Sequence, residues 1–289
     1  MFKVKTYDEL TFADDYLFCR IMRDETICKG VIKALLNVEV DHVEYLNNQQ
    51  EFSPDYDAKG IRMDVYVKDS DRIFDLEMQT SHFEDVAMRA RYYQGLVDLD
   101  TLGKARNYKD LKESFIVFIC TRDPFGCGLP CYTVEQVCKE DFRANSKIND
   151  KSHKLYYNAE SWHKSENTEV RALLKFLTTQ AAETDLTQTI QSAVCTSKKN
   201  EPWRKNFMTL YEMIDDATIN GIAIGREEGI LIGEERGREE GFAEGEFWKS
   251  CETARNLFLK GMDIVFIQDV TGLSYEQLEK IADELDAAN

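Results

Sequence analysis

The chain has 289 residues, 43% of them hydrophobic and 31% charged, with 16 Phe, 13 Tyr and 3 Trp. That is enough apolar material for a sizeable core, which excludes wholesale disorder and points to one large domain or a domain with an appendage. A net charge of −17, from 53 acidic and 36 basic residues, excludes a bulk electrostatic binder of nucleic acid or anionic membrane. A carboxylate-rich metal site can still act on a phosphodiester, because a bound ion makes its own small positive centre. The longest apolar run, Phe115–Cys120, is far short of a bilayer span. Met1-Phe2-Lys3-Val4-Lys5 lacks the apolar stretch of a signal peptide, so the chain reads as a cytoplasmic protein whose eight cysteines are reduced.

In chain order, Leu17 and Ile21 and then Ile27, Val31, Leu35 and Leu36 recur at helical spacing, with Asp24 as the N-cap between two helices. A polar loop is expected around Pro54. Two alternating arms follow, Arg62–Val67 and Ile73–Gln79, joined by the turn residues Asp69-Ser70-Asp71, and they predict a β-hairpin. Val86, Ala90, Tyr93 and Val97 then mark one face of a helix over 84–100. Phe115–Cys120 reads as a buried strand, and 142–154 as a polar loop. Helices are expected at 167–177 and from Pro202 onward.

The last section carries a strict repeat. Glycine occupies positions 221, 225, 229, 233, 237, 241 and 245, separated by helix-compatible Glu, Arg, Ile and Ala. Residues 221–289 hold 16 acidic and 7 basic side chains, the most acidic part of the chain. Each interior Gly costs a helix about 0.8–1.0 kcal/mol relative to Ala, so a helix here needs an offsetting gain. Glycines four apart trace a slowly winding groove that admits a second helix, and Ile222, Ile224, Ile230, Ile232 and Phe242 are too apolar for a plain spacer. Homo-oligomerisation through this segment is the expectation. A small helical hairpin or three-helix cap is expected over 251–289.

The chemistry lies in the hairpin. A turn centred between Ser70 and Asp71 places Asp64 opposite Glu77, on the same face, where like charges repel. Asp75, Glu77 and Gln79 share that face, while Phe74, Leu76 and Met78 point to the other. A hard cation such as Mg²⁺ or Mn²⁺ would turn the repulsion into an oxygen ligand set, polarise a phosphoryl oxygen and lower the pKa of an attacking water. Spacing alone equally allows a half-exposed hairpin with an acidic outer face.

Asp64 followed across a hairpin by Glu77-x-Gln79 resembles the PD-(D/E)XK nuclease motif, with Gln at the usual Lys position. More narrowly, the chain resembles the recombination-promoting nuclease (Rpn) and transposase-like family. The resemblance rests on Thr11–Cys19, Arg62–Val67, Asp75–Gln79, Arg89–Gln94 and Phe118–Gly126 in that order, and it resumes in the glycine repeat. It implies an α/β fold with a restriction-endonuclease-like central mixed β-sheet flanked by helices, followed by a helical C-terminal region. The expected divisions are a nuclease-like core over 1–141, a helical extension over 142–215, the glycine-repeat helix over 216–250 and a cap over 251–289.

The resemblance also implies a metal-dependent DNA endonuclease in a recombination, mobile-element or defence context. Asp64 and Glu77 match the metal-binding carboxylates, and Asp15 matches an acidic residue that extends the ligand shell or holds a water. Gln79 takes the position of the Lys that steadies the nucleophile or the scissile phosphate, without its charge. Cys19 stands where the family often has Lys, with Arg20 beside it. The alternative is a nuclease-fold protein of weak or no turnover that works as an oligomerising regulatory module.

Arg89 and Arg91, on the helix after the hairpin, and Lys104 and Arg106, in the densest basic cluster, are the candidate DNA phosphate contacts. Cys127, Cys131 and Cys138 form no Cys-x-x-Cys pair, and His153 and His163 sit at unhelpful spacing, so a zinc site is disfavoured there.

Overall fold

The computed structural model describes residues 5–45, 51–52, 61–80, 84–102, 106–141 and 148–287. These divide into two compact units, Met1–Thr209 and Leu210–Asn289. In the first unit, α1 (Asp15–Ile21) and α2 (Glu25–Leu36) form where the apolar spacing predicts them. Asp24 separates the two, and its side chain accepts the N–H groups of Thr26 and Ile27. Helix α2 ends at Asn37, whose left-handed conformation (φ 55°) stops the helix.

The strands are β1 (Glu44–Tyr45), β2 (Glu51–Phe52), β3 (Ile61–Arg62), β4 (Val65–Lys68), β5 (Arg72–Gln79), β6 (Glu113–Cys120), β7 (Cys131–Val134) and β8 (Ser152–Asn158). Six of them make one mixed sheet in the order β1-β4-β5-β6-β8-β7, and β2 and β3 pair separately. The β4–β5 hairpin is antiparallel with Val65 opposite Leu76 and Tyr66 opposite Asp75, the register the turn predicts. Strands β5, β6 and β8 run parallel, and the edge strands β1 and β7 are antiparallel to their neighbours. The expected loop over 142–154 gives way to β8 at Ser152. The polar start of that strand misled the reading: His153 stacks on Phe115 at 4.6 Å and pairs with Glu113 at 3.0 Å, so its polar side chains pack at the sheet rim. The expected Pro54 loop lies outside the described residues.

Helices cover both faces of the sheet. On one side α1, α2, α4 (Thr168–Thr179) and α5 (Asp185–Lys198) share a core with Val65, Val67, Phe74, Leu76, Met78, Val117 and Ile119. On the other, α3 (Val86–Thr101) packs Val86, Ala90, Tyr93 and Val97 against Tyr66, Ile73, Ile116 and Phe118. Helix α5 escaped the sequence reading. Its signal was present in Leu186, Ile190 and Val194 at four-residue spacing behind the Thr184 cap, but Thr, Gln and Ser dilute it.

Helix α6 (Glu201–Leu259) begins in the first unit and carries the whole glycine repeat as continuous α-helix. In the second unit its last turns join α7 (Ile264–Thr271) and α8 (Tyr275–Ala287) around Ala254, Ile267, Leu273, Leu278 and Ile281. No helix among the described residues is long and apolar enough to cross a membrane.

Candidate active site

Strand β5 is interior to the sheet and buried on both faces, which removes the half-exposed hairpin as an account of its acids. Asp75, Glu77 and Gln79 alternate with Phe74, Leu76 and Met78 as expected, yet their exposures are only 0%, 4% and 7%. Side chains at 75, 77 and 79 turn toward the α3 side, and those at 74, 76 and 78 enter the core beneath α1 and α2.

Asp64 lies at the bend just before β4, opposite Glu77 in register. Here the strand's alternation is broken: Met63 and Tyr66, three apart, both belong to the α3-side core. The bend re-aims Asp64, much as a bulge does. Its Oδ2 accepts the Met78 N–H at 3.0 Å, and Glu77 Oε1 accepts the Asp64 N–H at 2.9 Å. Each carboxylate is thus fixed by the backbone of the other's strand. The shared face expected for the two side chains is replaced by this interlock, in which Asp64 neighbours α1 and Glu77 neighbours α3.

On the α1 side, ligand atoms of Asp15, Cys19 and Asp64 all lie within 4.8 Å of one another. Asp15 and Cys19 are four apart on one helix and share a face, with the Cys19 thiol donating to Asp15 Oδ1 at 3.1 Å. Arg20 is turned against aromatic rings, 4.5 Å from the Tyr16 centroid and 5.2 Å from that of Trp203.

On the α3 side, Arg89 donates from Nη1 to Gln79 Oε1 at 2.7 Å and from Nη2 to the Tyr93 hydroxyl at 3.1 Å. The same Nη2 is 3.7 Å from Glu77 Oε2. Spacing alone could not show this pairing, although Arg89 stood out as a basic residue just beyond the hairpin. Arg91 and Arg106 are exposed, and Lys104 lies outside the described residues. Gln94, in the same string as Arg89, is buried and donates to Ser114 Oγ at 2.8 Å and Asp98 Oδ1 at 3.0 Å, an internal tether between α3 and β6.

The acids run from solvent into the fold: Asp15 is exposed, Asp64 half-buried, and Glu77 and Asp75 buried. Burial first, then the charges of Glu77 and Asp15, push the Asp64 carboxyl up to about 9. Glu77 is held well above the usual carboxylate range by burial and by Asp75, which together outweigh Arg89. Asp75 is fully buried and is also raised by burial and by Asp64, with the neighbouring Glu77 carboxyl and Arg89 acting the other way. Carboxylates this crowded are either neutral or compensated by a cation. The donors that converge, Asp15 and Cys19 on α1 with Asp64 at the bend before β4, suit a divalent ion, and Glu77 is tied to them through the Asp64 N–H. Cys127, Cys131 and Cys138 join no such group among the described residues.

No curated protein and no solved structure matches the chain. A family model does, over residues 12–218, a span that includes α1, the hairpin and α3. By that match the chain belongs to the PD-(D/E)XK nuclease family transposases.

Proposed function

We propose that the protein is a metal-dependent DNA endonuclease that hydrolyses phosphodiester bonds, with Mg²⁺ or Mn²⁺ as its ion. The observation that carries this reading is the interlock of Asp64 and Glu77, a half-buried and a buried carboxylate clamped by each other's backbone at the bend before β4 and on β5, in a chain of this family. Asp64 and Glu77 would hold the ion, and Asp15 would extend its ligand shell. Once bound, such an ion polarises a phosphoryl oxygen and lowers the pKa of the attacking water. Gln79, its amide oxygen held by Arg89, would help orient a water or the phosphate. Arg89 brings the positive charge that Gln lacks, so the two residues together take the part of the motif's Lys. Arg91, Lys104 and Arg106 are proposed phosphate contacts along the duplex. Cleavage of cellular DNA sets the protein in the cytoplasm on this reading.

The test is supercoiled plasmid incubated with the purified chain and Mg²⁺ or Mn²⁺. Wild type nicks it, chelator stops the nicking, and Asp64→Asn is inactive. Equal nicking by Asp64→Asn overturns the assignment.

A second property concerns partners. A Cβ added at any glycine from Gly221 to Gly245 meets nothing within 4 Å, so packing within the chain does not require them. Ile222, Ile230 and Phe242 on the same helix are 67%, 52% and 68% exposed. We propose that a second copy of α6 packs along this glycine groove, making the protein a homo-oligomer.

A further inference from the structure

Asp15 and Cys19 stand one turn apart on α1, the i, i+4 spacing by which a single helix offers two ligands to one ion. Asp64 is brought to them by the bend before β4, its direction set by the Met78 N–H. The sulfur is buried, with Cys19 only 6% exposed. The distances suit a shared ion. A sulfur at about 2.3 Å and a carboxylate oxygen at about 2.1 Å from one metal lie about 3.1 Å apart at a right angle, and about 3.6 Å apart at the tetrahedral angle. Cys19 Sγ and Asp15 Oδ1 are 3.1 Å apart, at the short end of that range.

We propose that Cys19 is a sulfur ligand beside Asp15 and Asp64, which makes this centre one that takes a thiophilic divalent cation such as Zn²⁺ or Cd²⁺. The inference rests on the reading of Asp64 as a metal ligand and adds the identity of the ions the centre selects. Hard Mg²⁺ uses oxygen ligands alone and leaves the thiol protonated. A softer ion gains the thiolate, and the thiol proton passes to solvent as the metal–sulfur bond forms. With sulfur among its donors the centre ranks divalent ions differently from an all-carboxylate one. Zn²⁺ at low concentration therefore displaces Mg²⁺.

The test uses the full chain in a background with the exposed Cys127 and Cys195 replaced by Ser. Cd²⁺ is titrated while the ultraviolet cadmium–thiolate charge-transfer band is followed, and Zn²⁺ and Mn²⁺ affinities are read by calorimetry. The expected result is a band saturating at one equivalent. Cys19→Ser removes it and weakens Zn²⁺ on the order of tenfold or more. Asp64→Asn weakens Cd²⁺, Zn²⁺ and Mn²⁺ alike. An unchanged band and Zn²⁺ affinity in Cys19→Ser, with Mn²⁺ still dependent on Asp64, overturns the sulfur ligand and leaves the metal centre standing. Binding of all three ions that is indifferent to Asp64→Asn overturns both. Zinc-edge X-ray absorption on the Cys19-containing protein with one equivalent of Zn²⁺ needs no change at the site. A sulfur scatterer at about 2.3 Å supports the proposal, and a shell of oxygen and nitrogen alone contradicts it.

Discussion

In the sheet, β5 buries Asp75, Glu77 and Gln79 where an interior strand ordinarily carries apolar side chains; on α6, Ile222, Phe242 and Trp248 face solvent and glycine recurs where a long helix ordinarily carries strong helix formers. The two regions break local rules in opposite senses. One hides charge-bearing groups at a desolvation cost of several kcal/mol per ion if they stay charged. The other exposes apolar surface and accepts about 0.8–1.0 kcal/mol for each Gly. On β5 the departure is answered only in part, by Arg89 beside Gln79 and Glu77, and on α6 the glycines have no close neighbour. Such local conflicts are expected at functional surfaces. On the function proposed here, the partner would be a cation for the carboxylates and a second helix for the glycine-lined groove.

The largest expected effect comes from breaking the carboxylate side. Glu77→Gln and Asp64→Asn should reduce metal-dependent nicking to background while circular dichroism stays that of wild type. The amides keep an oxygen for the Asp64 and Met78 N–H groups. Alanine at either position leaves a buried N–H without its acceptor, a loss of about 1–3 kcal/mol, so the alanine variants confound chemistry with stability. Isosteric variants that still cut at the wild-type rate would show that the acids serve folding alone.

Next in size is the Gln79–Arg89 pair. Arg89→Ala should lower the cleavage rate on the order of a hundredfold, the scale for loss of one well-placed electrostatic group. In a Gln79→Lys background the same change should cost much less, because the lysine restores the charge. Equal losses in both backgrounds would mean that Arg89 merely braces α3 against the sheet.

On the helical side, replacing Gly229, Gly233 and Gly237 by Leu should raise helix content and abolish self-association together, since leucine favours the helix but fills the groove. Sedimentation beside wild type reads the mass. A wild type that is already monomeric, or a triple mutant of unchanged mass, removes the second copy as the partner of α6.

The remaining effect is on pH dependence. Asp64 titrates in the unfolded chain near its ordinary 3.8 and in the fold at about 9. Between those values the metal-free fold keeps a proton that the unfolded chain has released, so this contribution is complete below the lower value and is lost as pH rises through the upper one. The melting temperature of metal-free wild type should therefore decline from about pH 5 to pH 9, and Asp64→Asn should make the decline shallower, the remainder belonging to Glu77 and Asp75. Parallel profiles for the two would show that Asp64 is not crowded as described.

Much of this was legible in the residues. The register of the β4–β5 hairpin followed from the turn at Ser70 and Asp71, and the buried face of α3 from Val86, Ala90, Tyr93 and Val97. The parity of Asp75, Glu77 and Gln79 was also visible. What parity could not reveal was how deeply they are buried, since that depends on β6 pairing in parallel along the far edge of β5. The bend at Met63 and Asp64 was hidden for a related reason. It interrupts a string whose alternation looks unbroken, and it alone turns Asp64 toward Asp15 and Cys19. Arg89 reaches Gln79 across the fold, a contact between residues ten apart on different elements.

The account stands most directly on whether the crowded acids form a cation site. Mn²⁺ binding to the purified chain, followed by electron paramagnetic resonance as free ion disappears, measures that without reference to DNA. Saturable binding by wild type that is lost in Asp64→Asn and in Glu77→Gln is the predicted result. Binding of the same affinity and stoichiometry in all three proteins would contradict it.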